Sequence, residues 1–176
     1  MKKKTNTVLV GMSGAGKSTL GVLLAKALAK SFVDTDILIQ QKAGKRLQDI
    51  IDTEGVESFM RIEEEIVSAL DTENTVIATG GSVVYSEKAM RSLLHNGVCV
   101  YLHVDFEEIS TRLSNITSRG IVFKNAHTLR EVYEERLPLY KKYADVTVTC
   151  TGNSVEESVE SIIKGLGEEQ LPSCQL

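Results

Sequence analysis

The feature that most constrains this chain is a glycine-rich segment near its start. Residues 11–18 read GMSGAGKS and match the phosphate-binding pattern G-x-x-x-x-G-K-[ST]. An apolar run at residues 8–10 precedes the segment, and a helix-like stretch at residues 19–30 follows it. A strand, a glycine-rich turn and a helix N-terminus in this order direct backbone N–H groups at phosphate oxygens. The segment therefore predicts a bound nucleoside triphosphate, and the alternative is a glycine-rich turn without a ligand.

Two side chains of this segment have predicted tasks. Lys17 is expected to reach the β- and γ-phosphates, and Ser18 is expected to offer its hydroxyl to Mg²⁺. The other predicted nucleotide contacts come from the loop and the first helical turn, at Gly14, Ala15, Gly16 and Thr19. Phosphoryl transfer would also need a second magnesium contact, a group that orients the acceptor oxygen, and cations that face the developing charge.

Composition bounds the class of protein. The 176 residues, 42% hydrophobic and 25% charged, suit one α/β domain at residues 1–168 with a flexible tail at residues 169–176. The formal net charge of −4 argues against a nucleic-acid partner. No apolar run approaches membrane-spanning length, and the three cysteines lack C-x-x-C spacing. We therefore expect a cytoplasmic monomer with reduced thiols and no membrane partner.

Short β-branched runs alternate with helical periodicity, which is typical of a parallel sheet with crossover helices. The predicted strands are residues 7–10, 31–33, 75–78, 98–103 and 146–149. The predicted helices are residues 19–29, 56–70, 86–94, 106–113, 128–143 and 154–165, with Ser86 and Thr128 as candidate N-caps. We expect a P-loop α/β fold with a five-stranded parallel sheet and helices on both faces.

Residues 114–127 lack a clean period and contain Arg119, Gly120 and Lys124. We interpret them as a lid that closes over the nucleotide and excludes water, which competes with an acceptor hydroxyl. The alternative is a surface connection with no role.

An acidic pair, Asp34 and Asp36, follows the second predicted strand. Ligands of open α/β sheets bind at the carboxyl ends of the strands. If the chain is still extended there, the two carboxylates point to the same side, so that one can serve the metal and the other the acceptor hydroxyl. The alternative is that one of them caps the next helix. Asp105 is a rival metal residue at the end of the fourth strand, although it is more simply read as a helix cap.

Gly80 and Gly81 follow the third strand and would let backbone amides approach a ligand closely, unless they form only a tight turn. Three arginines, Arg112, Arg119 and Arg136, are candidate cations near the site. Each of them has the alternative of being an ordinary solvated surface residue.

In this order the segments resemble the shikimate kinase family of small P-loop kinases. The likeness extends over about residues 7–152, and its most specific elements are residues 11–18, 34–36, 54–59, the Gly80-Gly81 turn, and 135–140 with Tyr143. The resemblance implies a kinase that uses ATP and Mg²⁺ to phosphorylate a ring hydroxyl of shikimate, a step of aromatic amino acid biosynthesis.

The same resemblance implies roles for the acidic pair. Asp34 would be the magnesium-side carboxylate, and Asp36 would grip and orient the acceptor hydroxyl. Catalysis would be mainly positioning and charge neutralisation, with Lys17 and Arg119 facing the transferred phosphate. The predicted catalytic residues are Lys17, Asp36 and Arg119.

The resemblance also implies roles for the arginines. Arg136 would bind the substrate, and Arg119 would be the arginine of the lid. Arg112 would flank the adenine, with residues 151–154 bordering the base.

The chain departs from the family at three positions. Met60 stands where the family has an arginine that pairs with the substrate carboxylate, and Arg61 is rotated away from that place by one helical step of about 100°. Ser82 replaces a glycine, and Gly120 replaces a proline after the lid arginine. The predicted substrate-binding residues are Asp36, Met60, Gly80, Gly81, Ser82 and Arg136.

These departures leave other functions open. Shikimate is the leading acceptor, and another small hydroxylated metabolite is the rival, because Met60 removes one carboxylate anchor. A nucleotide-binding protein without acceptor chemistry is a second rival, although the chain lacks an N-K-x-D motif and the acidic pair would then have no task. A nucleoside monophosphate kinase is a third, and it would need a base-reading acceptor pocket.

Overall fold

Five parallel strands form the centre of the structure, a computed structural model that describes residues 4–114, 121–124 and 127–167. The strands are β1 (Asn6–Val10), β2 (Ser31–Asp34), β3 (Thr75–Ala78), β4 (Gly97–His103) and β5 (Val146–Thr149). Their order across the sheet is β2-β3-β1-β4-β5, and every neighbouring pair is parallel. The predicted five-stranded parallel sheet is confirmed, because each strand bound lies within one residue of its predicted position.

The helices of the described residues account for the six predicted ones and add two more. They are α1 (Lys17–Ala27), α2 (Thr35–Ala43), α3 (Leu47–Glu54), α4 (Val56–Ser68), α5 (Glu87–His95), α6 (Phe106–Ser114), α7 (Leu129–Tyr143) and α8 (Val155–Leu166), with a 3₁₀ turn at Val83–Tyr85. Both predicted N-caps are confirmed. Ser86 accepts a hydrogen bond from Ala89 N, and Thr128 forms a capping box with Glu131.

Helices α2 and α3 were not predicted, and the reason lies in their patterns. The apolar residues of α2 are consecutive, at Ile37, Leu38 and Ile39, so they do not mark one helical face. Helix α3 is amphipathic but has only eight residues, a stretch too short for the pattern to distinguish a helix from a loop. Because α2 begins at Thr35, the chain is not extended beyond Asp34, and the alternative that one acid of the pair caps the next helix holds for Asp34.

The central strand fixes where a ligand can bind. Val8, Leu9 and Val10 of β1 are fully buried, as expected for a parallel strand covered on both faces. β1 lies between β3 and β4, which come much later in the chain. The connections that leave the carboxyl end of the sheet therefore diverge beside β1, and this divergence opens a crevice of the kind that holds ligands in open α/β sheets.

Two of the predicted segments lie mostly or wholly outside the described residues. Most of the predicted lid at 114–127, with Arg119 and Gly120, lies outside the described residues, and so does the predicted tail at 169–176. Among the residues that are described, none of the helices has both the length and the apolar character needed to cross a membrane. Cys99 and Cys150 are buried free thiols.

The junction of α5 and β4 provides a test of the packing. A Cβ added to Gly97 would lie 2.5 Å from Leu93 O and 2.6 Å from Val8 Cγ2, so Gly97→Ala must displace the backbone of α5 or a side chain of β1. We expect it to lower the free energy of unfolding by about 3 kcal/mol in urea denaturation.

The matched control is Gly44→Ala, because a Cβ there meets nothing within 4 Å and only the left-handed φ of 63° opposes it. This variant should cost about 1 kcal/mol. Equal losses in the two variants would contradict the packing at Gly97.

Candidate active site

The crevice at the carboxyl end of the sheet contains a cavity of about 560 Å³. Its lining comes from the glycine-rich loop, the start of α1, the acidic pair, α2, the start of α3 and the turn after β3, at Ser13, Gly14, Gly16, Lys17, Ser18, Thr19, Asp34, Asp36, Ile37, Gln40, Arg46, Leu47, Thr79 and Gly81. A smaller cavity shares Ser13, Asp36, Leu47 and Gly81 with the first and is also lined by Phe59, Gly80, Ser82, Val122 and Arg136. The two cavities therefore adjoin each other, with Asp36 on the wall they share.

Backbone geometry shows why the loop needs its glycines. Gly14 and Gly16 have φ values of 87° and 93°, in the region that L side chains rarely adopt. Gly11 has a φ of 149°, and a Cβ there would lie 2.7 Å from Leu102 O of β4. The loop thus turns sharply while it stays in contact with β4. A loop that cradles phosphate needs such a sharp turn.

Lys17 lies over this loop. Its Nζ donates hydrogen bonds to the backbone oxygens of Gly11 and Met12, both at 2.8 Å, and only 8% of the residue is exposed. Ser18 and Thr19 are exposed beside it on the cavity wall, whereas the side chain of Ala15 is buried in the core. The loop therefore presents an ammonium group and two hydroxyls to a single space.

The acidic pair reaches the cavity by a route that differs from the predicted one. Asp34 is the last residue of β2, and its Oδ1 accepts a hydrogen bond from Asp36 N at 3.0 Å, so Asp34 caps α2. Asp36 then belongs to the first helical turn. Both carboxylates still line the cavity, because this tight turn begins at the carboxyl end of the strand.

Arg136 of α7 forms one end of the smaller cavity and is almost completely buried, with 1% exposed. Its Nη2 donates to Val122 O at 2.6 Å and its Nε donates to Tyr85 Oη at 3.3 Å. A Cβ on Gly81 would lie 2.9 Å from Arg136 Nη1, so the guanidinium lies directly against the Gly81 backbone.

The turn after β3 is held on both sides. Gly80 N donates to Thr35 Oγ1 at 3.2 Å, and Gly81 O accepts a hydrogen bond from Tyr140 Oη at 2.6 Å. Burial raises the pKa of Tyr140 to about 12, so its hydroxyl keeps the proton that this bond needs. Sequence reasoning did not assign Tyr140 a role, although it lies in the 135–140 segment of the resemblance.

Glu63 of α4 is a second residue that sequence reasoning missed. It is 2% exposed, its Oε2 accepts a hydrogen bond from Ser82 Oγ at 2.7 Å, and its Oε1 has no hydrogen-bond partner among the described residues. A Cβ on Gly80 would collide with Glu63 Oε1 and lie 2.9 Å from Asp36 Oδ1. The signal in the sequence was an acid on the apolar face of a predicted helix, four residues after Phe59.

The environment of Glu63 favours its protonated form. Burial raises the pKa of this carboxyl to about 7 from its ordinary value of 4.5, and the negative charge of Asp36 also raises it. The hydrogen bond from Ser82 and the positive charges of Arg136 and Lys17 lower the pKa, but they offset the burial only in part. Glu63 therefore holds its proton up to nearly neutral pH.

Met60 does not line either of these cavities. It lines another cavity of about 470 Å³, together with Glu54, Ser58 and Lys124 among others. Arg61 is exposed and donates to Ser58 Oγ at 3.4 Å, in agreement with the expectation that it does not occupy the place of its neighbour.

Three predicted site residues remain to be placed, Arg112, Arg119 and Asp105. Arg112 Nη1 donates to Gly14 O at 2.9 Å, so Arg112 lies against the glycine-rich loop. Arg119 lies outside the described residues. Asp105, the rival metal residue, pairs its Oδ1 with His103 Nε2 at 3.2 Å and is not among the residues that line the two cavities.

Comparisons with known proteins agree with this geometry. A model of the shikimate kinase family matches residues 13–167. The chain is 36% identical over 168 residues to a shikimate kinase of Thermobifida fusca, covering 94% of this chain and 97% of the relative. It is 37% identical over 175 residues to one of Francisella tularensis subsp. holarctica, covering 97% and 99%. The structure of an Acinetobacter baumannii shikimate kinase in complex with shikimate is similar, with a TM-score of 0.86, 28% identity and 96% coverage of both chains.

The buried acid predicts an unusual pH dependence of stability. The pKa of Glu63 is about 7 in the folded chain against about 4.5 when unfolded, so the unfolded state releases the proton first as pH rises. The resulting penalty on folding grows between these two values and is complete above the higher one. Glu63→Gln should therefore stabilise the protein at pH 8 by up to about 3 kcal/mol and change little at pH 4.5, as measured by urea denaturation.

Glu64→Gln on the same helix is the matched control. The hydrogen bond from Ser86 Oγ, at 2.6 Å, lowers the pKa of Glu64, so this variant should not stabilise the protein at pH 8. A Glu63→Gln variant that is less stable than the parent at pH 8 would show that Glu63 is ionised and well paired in the folded chain.

Proposed function

Because the chain belongs to the shikimate kinase family, we propose that it transfers the γ-phosphate of ATP to a hydroxyl of shikimate. One observation carries this proposal. The glycine-rich loop with Lys17 and the carboxylate of Asp36 line one cavity, and Asp36 is also on the wall of the adjoining cavity that ends at Arg136. The smaller cavity has a volume of only about 10 Å³, so a small acid paired with Arg136 would extend into the larger cavity and meet the triphosphate at Asp36.

The glycine-rich loop forms the nucleotide half of the site. Its backbone N–H groups and the positive end of α1 bind the phosphates of ATP, and the Lys17 ammonium lies on the side of the β- and γ-phosphates. The cavity also fits Mg²⁺, because Ser18 and Asp34 line it with hydroxyl and carboxylate oxygens, the donors that this ion prefers. When bound there with ATP, Mg²⁺ neutralises negative charge on the phosphates.

The acceptor half is built around Arg136. A buried guanidinium needs an anionic partner or several hydrogen bonds, and the hydrogen-bond partners described for Arg136, Val122 O and the hydroxyls of Tyr85 and Tyr140, are neutral. The carboxylate of shikimate supplies the anion and forms a charge-assisted pair with it. The backbones of Gly80 and Gly81, with Ser82 beside them, form the wall against which the ring lies.

Asp36 orients the acceptor hydroxyl and accepts its proton as the new bond forms between the acceptor oxygen and the γ-phosphorus. The bond between that phosphorus and the bridging oxygen of ADP breaks in the same transfer, and Lys17 stabilises the charge on the phosphate oxygens. The site thus acts mainly by positioning and by charge compensation. By the resemblance to the family, Arg119, which lies outside the described residues, would add a further positive charge near the transferred phosphate.

The first test concerns Lys17. Lys17→Met should lower kcat/KM for ATP by about 100- to 1,000-fold, because a charge that faces the transferred phosphate is lost. ADP release with Mg²⁺ and shikimate measures the effect. Lys26→Met is the matched control, since Lys26 is exposed on the same helix and should leave the rate unchanged. Equal rates for all three proteins would contradict the proposed nucleotide site.

The second test separates the roles of Arg136 and Asp36. Arg136→Lys should raise KM for shikimate about tenfold or more with a smaller change in kcat, because an ammonium group cannot keep the contacts to Val122 and Tyr85 and also pair with the carboxylate as the guanidinium does. Asp36→Asn should lower kcat by about 100- to 10,000-fold. Arg130→Lys is the control, since Arg130 is half exposed on the same helix and pairs with Glu107.

A panel of acceptors in the same assay tests the substrate itself. Turnover confined to acceptors other than shikimate would contradict shikimate and favour another small hydroxylated metabolite, and Met60→Arg should then restore some binding of shikimate. Nucleotide binding without any phosphorylated product would instead favour a binding protein.

A further inference from the structure

Arg46 is a cation of the active-site cavity that the proposed chemistry does not use. It occupies the N-cap position of α3, lines the larger cavity and is exposed. Among the described residues that line this cavity, the other cation is Lys17 of the glycine-rich loop. Arg46 therefore brings a second positive charge to the same space from a different part of the chain.

The charges around Arg46 leave its guanidinium available for a ligand. Among the described residues, no ion pair joins Arg46 to an acid. The neighbouring cation differs, because Lys45 pairs with Glu54 of α3 at 2.8 Å and is not among the described residues that line the larger or the smaller cavity. A guanidinium presents five N–H donors in a planar fork, so an anion in the cavity is the partner that suits it.

The backbone of Arg46 is held by the first turn of α3. Its carbonyl oxygen accepts a hydrogen bond from Ile50 N at 3.1 Å, and Ile50 is fully buried. The next residue, Leu47, lines both the larger and the smaller cavity, whereas Arg46 lines the larger one. Arg46 therefore lies on the side of the proposed triphosphate, and Arg136, in the smaller cavity, lies on the side of the acceptor's acid.

The transferred phosphate needs a cation at its new position. On ATP its charge is compensated by Mg²⁺ and by Lys17, whose Nζ donates to the backbone oxygens of Gly11 and Met12 and so stays with the loop. On the acceptor the phosphate is a monoester with nearly two negative charges at neutral pH, and it lies beside an acid, Asp36. Of the described side chains on that lining, Arg46 is the cation that remains to face it.

We propose that Arg46 binds the phosphate after its transfer to the acceptor, as the cation that the α3 side of the cavity supplies to the phosphorylated product. The inference rests on the proposed transfer reaction and deepens it. Before transfer the glycine-rich loop holds the phosphate, so Arg46 forms this contact only as the product forms. Binding of ATP and of the unphosphorylated acceptor should therefore not depend on Arg46.

Calorimetry with three ligands tests this assignment. The ligands are ATP, shikimate and phosphorylated shikimate, which is the product of the proposed transfer. Arg46→Ala should weaken binding of phosphorylated shikimate about tenfold, because a charge-assisted contact is lost, and should leave binding of ATP and shikimate within about twofold. In the assay, inhibition of the forward reaction by added product should weaken by the same factor. Arg46→Lys keeps the charge and should weaken product binding only about threefold.

Lys45→Ala is the matched control, because Lys45 is the neighbouring cation and is already engaged by Glu54. It should leave the binding of all three ligands unchanged. An unchanged affinity of Arg46→Ala for phosphorylated shikimate would overturn the inference. Weaker ATP binding by this variant would overturn it as well, because Arg46 would then bind the nucleotide, and so would weaker binding of shikimate, because Arg46 would then pair with the acid of the acceptor.

The parent protein shows separately whether the proposed reaction holds. A parent that phosphorylates only another acceptor would refute shikimate, and the same three measurements with that acceptor and its phosphate would decide the role of Arg46. A parent that phosphorylates no acceptor would refute the transfer reaction and, with it, the role of Arg46. A parent that phosphorylates shikimate, beside an Arg46→Ala variant that binds the product normally, would refute the role of Arg46 alone.

Discussion

The turn from β1 into α1 is held from within by the Lys17 ammonium, and the rest of the site depends on that arrangement. Lys17 Nζ donates hydrogen bonds to the backbone oxygens of Gly11 and Met12, so these oxygens face the lysine. Gly11 lies against Leu102 of β4, and Gly14 is held by Arg112 of α6. The loop is therefore fixed to the buried sheet on one side and to α6 on the other. A binding surface made of backbone N–H groups needs this rigidity, because its geometry has no side chains that could adjust to the ligand.

Charge balance explains the arrangement around Gly80 and Gly81. Two acids, Asp36 and Glu63, lie on one side of this turn, and the buried Arg136 lies on the other. Two ionised carboxylates so close together in a buried place would repel each other. Burial raises the pKa of Glu63 to about 7, so near neutrality the proton on Glu63 relieves much of that repulsion. Asp36 is then the main negative group on the wall that the two cavities share, and Arg136 is the buried positive group of the smaller cavity.

Much of the fold could be predicted because its signals are local. Most of the strands are short runs rich in β-branched residues, and Ser86 and Thr128 mark helix starts by their capping chemistry. The parts that could not be predicted depend on contacts across the sequence. Helix α2 begins inside the acidic pair, so the route of Asp36 to the cavity required the structure. Glu63 and Tyr140 have no motif of their own, and their importance comes from Ser82 and Gly81, which the fold brings to them. The roles assigned to the individual site residues stay predictions.

The two halves of the site are packed against different hydrophobic clusters, and Met60, a predicted departure from the family pattern, packs against the smaller of them. The main hydrophobic core, which includes β1, surrounds the nucleotide side. A second, smaller cluster comprises Ile39, Ile50, Phe59, Ile66 and Val122, with Met60 packed against it. This cluster supports α2, α3 and α4, which flank the acceptor cavity. A substitution such as Met60 therefore changes contacts within the small cluster and leaves the sheet and its phosphate loop unaffected. The two cavities share Asp36 and Leu47 on the side of the small cluster, and Ser13 and Gly81 on the side of the sheet, so contacts on either side can change separately except along this common wall.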